Sequence, residues 1–261
     1  MKKPIETRGH IIGFKEEIAS IANDDDKFFG WFDNKKSFKD TYSQAAWDFS
    51  WHIAVPLTPF MKKPGAELTA LEIGVGGGRL LAQAARYFRL AIGTDIHENL
   101  PKVEAKLKEL GLDNVEMRQG DGRSLPCADN EVDVIYSFIV FQHLEKISIL
   151  ENYVREMYRI LRPGGIAVIY AGRLGPNSLY KTSRLLFLYD VFMEKFRLPK
   201  GYLEKPAPVN HTNLLVSRAF MKNLAEKSGF THLESRPSRR NLDQGARQYG
   251  GQHGFIWRKP E

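Results

Sequence analysis

The sequence predicts an α/β protein with a doubly wound, mostly parallel, seven-stranded sheet (Rossmann-like) and helices on both faces. The first observation is the stretch Leu68–Leu80 (LTALEIGVGGGRL), where a short apolar run breaks into glycines and then resumes as helix-compatible sequence. The second is that such units repeat up to about residue 172 with short turns, which indicates parallel strands joined by crossover helices. The third is that 261 residues with 43% hydrophobic content suffice for one substantial core.

Short apolar runs bounded by glycine, proline or acidic residues place the individual elements. The predicted strands of the alternating region are Thr69–Ile73, Leu90–Asp95, Val115–Gln119, Val132–Tyr136 and Ile166–Tyr170. The predicted helices between them are Gly78–Phe88, Leu100–Leu110 and Ile147–Leu161. A further helix, Ser217–Lys227, and two closing strands, near Thr231–Ser235 and Gly254–Arg258, complete the prediction.

Two segments fall outside this alternation. Residues 1–65 are predicted to form an N-terminal helical extension that caps the ligand mouth, although their aromatic side chains can equally be ordinary core residues. Residues 172–213 are too long for a simple connection and are predicted to be an inserted lid or substrate-binding region. The apolar stretch Leu185–Phe196 within them lines a pocket for a hydrophobic ligand or packs on the sheet or a second subunit. Packing is the preferred interpretation, and a homodimer is a possible arrangement.

Composition narrows the class of protein. Lys and Arg exceed Asp and Glu by 38 to 31, which gives a formal net charge of +7 and a pI near 9.3. An anionic substrate, a nucleic acid or a membrane surface would explain this excess, but scattered solvated charge is the preferred interpretation. The single cysteine, Cys127, excludes an intrachain disulfide framework, and no apolar run approaches the roughly 18 residues of a membrane span. Together with the lack of a secretory leader pattern, these features predict a cytoplasmic enzyme.

The glycine turn allows two interpretations. The dinucleotide pattern G-x-G-x-x-G is met by Gly74 and Gly76, but its third position falls on Arg79. What stands instead is E-x-G-x-G-x-G, from Glu72 to Gly78. Asp95 follows at the end of the next strand, about 20 residues after the first glycine, a spacing that suits an acid on ribose hydroxyls in either case.

Several motifs in order favour the second interpretation. The turn is followed by Gly120–Pro126 (GDGRSLP), by Asp133–Phe138 with Phe141–Leu144 (FQHL), and by Leu161–Gly165 (LRPGG). Over about residues 66–172 the chain resembles the class I S-adenosylmethionine-dependent methyltransferases. The resemblance implies that residues 66–261 form the methyltransferase domain, that S-adenosylmethionine is the cofactor and that no metal is needed. The seven histidines show no metal-ligand spacing.

The resemblance also implies roles for individual residues. Glycines of the turn would contact the amino-acid end of the cofactor, Glu72 its ammonium, Asp95 its ribose, and Asp121 and Gly122 its adenine. The full predicted cofactor-binding set is Glu72, Gly74, Val75, Gly76, Gly78, Asp95, Ile96, Asp121, Gly122, Ser137 and Phe138.

His143, just beyond the fourth strand, is the candidate catalytic residue. Its position resembles that of the general-base histidine of small-molecule O-methyltransferases, and its ordinary pKa suits that role. The alternative is a structural histidine at the start of the next helix. Acceptor contacts are expected from residues outside the motifs, namely Trp47, Trp51, His52, Arg173, Asn177, Tyr180 and His211.

The predicted reaction is methyl transfer to an oxygen or nitrogen of a small-molecule or glycan-like acceptor. The alternatives are an RNA-directed methyltransferase, which the basic charge would fit, and a protein that binds S-adenosylmethionine without catalysis. No appended nucleic-acid-binding module appears in the sequence, so nucleic acid is not the preferred partner.

Overall fold

The computed structural model describes residues 10–32, 38–175, 182–240 and 248–261. Two of the predicted acceptor residues, Asn177 and Tyr180, lie outside the described residues. No described helix combines the length and the apolar character that a membrane crossing requires.

The strands fall into one large and one small sheet. They are β1 (Thr69–Ile73), β2 (Leu90–Asp95), β3 (Val115–Gln119), β4 (Val132–Ser137), β5 (Leu161–Gly172), β6 (Tyr202–Glu204), β7 (Leu214–Val216), β8 (Thr231–Arg240) and β9 (Gln248–Arg258). The large sheet has the order β3-β2-β1-β4-β5-β9-β8, in which the first five strands are parallel and β9 is antiparallel to both neighbours. The strand order reverses between β1 and β4, which is where doubly wound sheets bind ligands. The predicted fold class is confirmed.

The helices lie before, between and after these strands. They are α1 (His10–Ile21), α2 (Asp25–Phe32), α3 (Phe38–Phe49), α4 (Val55–Leu57), α5 (Arg79–Ala85), α6 (Leu100–Glu109), α7 (Ile147–Ile160), α8 (Arg184–Arg197) and α9 (Arg218–Lys227). A π-helical turn, Ser50–Ala54, joins α3 to α4.

The sheet has a hydrophobic core on each face because its central strands are buried on both sides. All five residues of β1 are buried, and alternate residues enter different cores: Ala70 packs with α3, α5 and α6, whereas Leu71 packs with α7 and α9. Since side chains alternate across a strand, a continuous apolar run in a parallel sheet requires helices on both faces.

Three strands are several residues longer than predicted: β5, β8 and β9, the last of which begins at Gln248 rather than Gly254. β5 begins at Leu161 rather than Ile166, because the predicted turn continues as strand through a register shift opposite Val132 and Val134, with Gly164 at φ +78°. β8 continues to Arg240 as an edge strand, and its proline, Pro237, lies at a register shift. Proline is tolerated there because an edge strand or bulge leaves its missing N–H without consequence.

The segment 172–213 contains α8 and β6 among its described residues. The expected packing of its apolar stretch holds for Phe187, which is buried. Five other apolar residues of α8 do not pack on the sheet and are exposed in this chain, so packing on a second subunit stays a prediction for them: Leu185, Leu188, Tyr189, Phe192 and Phe196.

Candidate functional site

A cavity of about 710 Å³ lies at the carboxyl ends of β1, β2 and β4 and is closed on one side by α1, α2 and α3. Eight of the predicted site residues line it. They are Glu72, Gly74, Val75, Gly76, Asp95, Ile96, Phe138 and His143. The sequence therefore brings most of the predicted cofactor residues and the candidate base to one cavity.

The glycine turn leaves no room for side chains. Gly74 and Gly76 have φ values of +78° and +53°, which L-residues with a Cβ rarely adopt. A Cβ on Gly74 would lie 2.3 Å from Cγ2 of Val140, and one on Gly76 would lie 2.8 Å from Cδ1 of Phe32. Both positions consequently require glycine, and both glycines line the cavity with backbone atoms alone.

Asp95 holds this turn in place. Its Oδ2 accepts a hydrogen bond from Gly76 N at 2.8 Å, and its Oδ1 accepts one from Ile96 N at 2.7 Å. His97, which the sequence reasoning did not select, supports the same turn: its Nδ1 accepts from Asn99 N at 3.2 Å, so its Nε2 carries the hydrogen that faces Gly76 O at 3.1 Å. Each carboxylate oxygen of Asp95 keeps a lone pair for a ligand hydroxyl.

Glu72 brings a buried carboxyl group to the cavity. Burial raises its pKa to about 8, against the opposing effects of a hydrogen bond from Tyr136 and the charge of Arg79. The Tyr136 hydroxyl donates to Glu72 Oε2 at 2.9 Å. A cationic group of a ligand at this position would favour the ionised carboxylate.

Arg79 explains why the dinucleotide pattern is broken. Its guanidinium donates to Oδ2 of Asp48 at 2.7 Å, and Gln44 donates to the other oxygen of that carboxylate at 3.1 Å. The third position of the pattern thus serves to tie α5 to α3, which forms part of the cavity wall.

Replacing Arg79 with alanine is expected to lower the free energy of unfolding by about 1–3 kcal/mol, because the buried Asp48 carboxylate loses its charged partner. Urea denaturation measures the change. Lys222→Ala is the matched control, since its pair with Glu226 is exposed. Equal, small effects of both changes would contradict the structural role of Arg79.

His143 is buried beside the cavity, with both ring nitrogens engaged. Its Nδ1 lies 2.7 Å from the carbonyl oxygen of His211, and its Nε2 lies 3.2 Å from Nε2 of Gln142. A carbonyl only accepts and an amide nitrogen only donates, so the hydrogen is on Nδ1 and the lone pair is on Nε2. Burial lowers the pKa of His143 and so keeps the ring neutral at pH 7. This is the form that a general base requires.

The side chain of Gln252 holds that of Gln142 in place. Gln252 donates from Nε2 to Gln142 Oε1 at 3.0 Å, and both side chains line the cavity. The chain of contacts Gln252–Gln142–His143 therefore holds the His143 ring and the Gln142 side chain in one orientation. Of these three residues, the sequence reasoning selected only His143.

An aromatic wall faces the same region and was also missed. Phe14 of α1 lies 5.7 Å from Trp31 and 5.9 Å from His143, measured between ring centroids, and Trp31 lies 4.9 Å from Phe32. All three aromatic residues line the cavity. The aromatic cluster in the segment 28–32 (FFGWF) was the available signal, but only tertiary packing places it against the turn.

Four predicted cofactor residues do not line the cavity. Gly78 has φ +82° and caps α5 where a Cβ would meet Val103 at 2.7 Å, and Gly122 is buried with φ +80°. Ser137 is buried and donates to Ile73 O at 2.9 Å, so its hydroxyl joins β4 to β1.

Asp121, the fourth, is exposed next to the cavity-lining Gly120. Its Oδ1 accepts from the backbone N–H groups of Arg123 and Ser124 at 2.8 and 2.7 Å, which lowers its pKa despite partial burial. Its carboxylate therefore shapes the loop after β3, and the predicted adenine contact stays a prediction.

Several predicted acceptor residues do not line this cavity. His52 is fully buried: its Nε2 accepts from Arg239 N at 3.1 Å and its Nδ1 faces Asp48 O at 3.1 Å, while burial lowers its pKa to about 4. Trp47 and Trp51 stack on each other at 5.2 Å and do not line the cavity.

The other two described candidates, Arg173 and His211, do not line the cavity either. Arg173 is buried, donates to Gly250 O at 2.8 Å and faces Asp190 at 3.6 Å. His211 is exposed and contributes its backbone carbonyl to His143 rather than its side chain. Sequence adjacency to a strand end could not distinguish these buried supports from ligand contacts.

Comparison with known proteins finds similarity to methyltransferases. Residues 71–169 match a family model described as "Methyltransferase domain". The chain is 43% identical over 145 residues to a demethylmenaquinone methyltransferase of Listeria monocytogenes, covering 54% of this chain and 59% of that protein. It is 30% identical over 118 residues to a ubiquinone biosynthesis O-methyltransferase of Ruegeria pomeroyi, covering 45% of this chain and 46% of that protein. The matched region is thus about half the length of these relatives.

The crystal structure of a SAM-dependent methyltransferase from Aquifex aeolicus superposes with a TM-score of 0.53 at 18% identity, covering 79% of this chain and 88% of that one. At this identity the likeness shows the fold alone.

Proposed function

We propose that this chain, which belongs to the class I S-adenosylmethionine-dependent methyltransferases, transfers a methyl group to a hydroxyl oxygen or a nitrogen of an apolar, aromatic small molecule. The observation that carries the proposal is one continuous cavity, which extends from the buried carboxyl of Glu72, past the glycine turn, to His143 and its aromatic wall. Two relatives named for quinone chemistry, the ubiquinone and demethylmenaquinone enzymes, support an aromatic acceptor.

The residues of the turn fit S-adenosylmethionine. Glu72 is a buried carboxyl group at the cavity wall and suits the ammonium of the cofactor, and Gly74 and Gly76 leave the backbone bare for its amino-acid end. Asp95 would accept hydrogen bonds from the ribose hydroxyls. When bound, the cofactor supplies an electrophilic methyl on a sulfonium, and the work of the protein is to position the acceptor and to remove its proton.

His143 is the group that removes this proton. In the proposed step the acceptor hydroxyl would replace the Gln142 amide at Nε2 and give its proton to Nε2. Its oxygen would take the methyl group as the S–CH₃ bond breaks, which leaves S-adenosylhomocysteine as the neutral thioether. The Nδ1–H bond to the His211 carbonyl keeps the ring in the required tautomer and stabilises the resulting cation. Phe14 and Trp31 would hold an aromatic ring beside the base and keep water away.

Calorimetric titration with S-adenosylmethionine, S-adenosylhomocysteine and NAD, run in parallel, tests the cofactor. We expect the two adenosyl ligands to bind and NAD not to bind. A screen of phenols, hydroquinones and aromatic amines, followed by detection of S-adenosylhomocysteine, then tests the acceptor. Binding without turnover on any of these acceptors would reduce the proposal to cofactor binding, and tight salt-sensitive RNA binding with RNA methylation would replace its acceptor.

Replacing Asp95 with alanine is expected to weaken S-adenosylhomocysteine binding by about 1.5–3 kcal/mol, because charge-assisted hydrogen bonds to the ribose are lost. Calorimetry measures the change, and Glu98→Ala, an exposed acid three residues along the chain, is the control. Unchanged affinity in Asp95→Ala would remove Asp95 from the ribose site.

A further inference from the structure

The outer surface of α8 is an apolar stripe that this chain does not cover. Leu185, Leu188, Tyr189, Phe192 and Phe196 are exposed by 48–79%. Their spacing of three or four residues places them along one side of the helix. We call these five residues the α8 face. Contiguous exposed apolar surface of this kind marks a site of interaction.

The acidic residues of α8 are buried, whereas its basic residues are exposed. Both of its acids are buried: Asp190 faces Arg173 at 3.6 Å, and Glu194 bonds His253 and accepts from Arg218 N at 3.1 Å. The basic residues of the helix all point to solvent instead, and they are Arg184, Lys195 and Arg197. The exposed charge of α8 is thus entirely positive.

One of these cations, Lys195, lies directly beside the apolar side chains. The Lys195 Nζ lies 4.0 Å from the ring centroid of Phe192 and 4.8 Å from that of Phe196. A ligand that covers the α8 face must therefore accept aromatic and aliphatic side chains and cations within a few ångströms of each other.

The inner side of α8 is fixed to the sheet. Phe187 stacks on Tyr249 of β9 with ring centroids 4.3 Å apart, and the guanidinium groups of Arg173 and Arg218 each lie 5.1 Å from the Phe187 ring. The helix thus presents its outer face from a rigid support.

We propose that the α8 face docks on an anionic phospholipid bilayer. Helices with apolar and cationic side chains and no exposed acid lie in the plane of the membrane interface, with the apolar groups at the level of the acyl chains and the cations at the phosphates. The formal net charge of +7 adds to the attraction. A symmetric contact with a second copy fits less well, because it would bring two sets of Arg184, Lys195 and Arg197 together.

Docking here would bring the cavity near the bilayer. Arg173, which faces Asp190 of α8, donates to the carbonyl of Gly250, and Gly250 lines the cavity. An acceptor dissolved in the bilayer would then have a short path to His143. This last step rests on the proposed function; the docking itself does not.

Sedimentation with phosphatidylcholine vesicles, with and without phosphatidylglycerol, tests the docking. We expect the full chain to bind the vesicles that contain phosphatidylglycerol and to dissociate as salt is raised. The double change Phe192→Ser/Phe196→Ser removes apolar contacts, and Lys195→Glu/Arg197→Glu reverses two charges. Each pair is expected to weaken binding at least about tenfold.

The matched control is Val55→Ser, which removes an equally exposed apolar side chain from α4. We expect it to bind vesicles as the unchanged chain does, and all variants to keep their affinity for S-adenosylhomocysteine and their thermal midpoint. No vesicle binding by the folded chain, or equal binding by all variants, would overturn the proposal. So would self-association, measured by sedimentation equilibrium, that Phe192→Ser/Phe196→Ser abolishes, because the occupant would then be a second copy.

Discussion

Replacing His143 with alanine is expected to lower kcat by about 10²–10⁴-fold, the contribution of a general base, and to leave the affinity for S-adenosylhomocysteine unchanged. The change removes the proposed proton acceptor, whereas the predicted cofactor residues of the turn lie at or just beyond the ends of β1 and β2. Steady-state kinetics and calorimetry on the same samples measure both quantities. His232→Ala is the matched control, since His232 bonds Ser235 on β8 and does not line the cavity.

The pH profile separates a base from a structural histidine. Burial disfavours the imidazolium and so lowers the pKa of His143 below its usual 6.5. The neutral form therefore predominates at pH 7. With the cofactor saturating, kcat/KM for the acceptor is expected to stay level down to about pH 6.5 and to fall only as the lowered pKa is crossed. His143→Ala should lose this acid limb together with its activity. If His143→Ala turned over at the original rate and kept the acid limb of the pH profile, the assignment of His143 as the general base would be wrong.

Binding of S-adenosylhomocysteine is expected to release a proton and to strengthen with pH. The carboxyl of Glu72 has a pKa of about 8, so it is mostly protonated in the free protein at pH 7. The ligand ammonium stabilises the carboxylate, and the affinity is then expected to rise by about tenfold per pH unit from pH 5.5 to 7. Calorimetry in buffers of different ionisation enthalpy counts the protons released.

Glu72→Gln tests the origin of this linkage. We expect the variant to bind more weakly at pH 7, to release no proton and to show an affinity independent of pH over the same range. Glu226→Gln, an exposed change on α9, serves as the control and should retain the linkage. Proton release that persists in Glu72→Gln would place the titrating group elsewhere.

The sequence predicted the sheet well where local pattern and burial agree. The bounds of β1, β2 and β3 match the prediction because short runs ended by glycine or an acid define them. The start of β5 was missed because Leu161–Gly165 has the composition of a turn, although it pairs through a bulge. Composition cannot distinguish a turn from a strand that glycine allows to bend.

Site residues that belong to a sequence motif were predicted, whereas site residues that reach the cavity only by tertiary packing were missed. Glu72 and Asp95 lie in the last residues of their strands and His143 lies beyond the end of β4, so their convergence on one cavity could be inferred from topology. Phe14 and Gln252 come from α1 and β9, far from any motif, and only the folded chain brings them to the base. His52 is of a residue type that is common in active sites, but here it is buried and connects α3 to β8 by hydrogen bonds.

The position of the aromatic wall in the sequence bears on how acceptor specificity can differ between related proteins. Phe14, Trp31, Phe32 and Gln252 all lie outside residues 71–169, the region shared with the methyltransferase domain family, whereas Gln142 and His143 lie inside it. Under the proposed function, the group that removes the proton and the wall that holds the acceptor are encoded in different parts of the chain and can diverge independently. Two relatives that agree throughout the shared region can methylate different molecules, so the segments on either side of it are the ones to compare when acceptors are assigned.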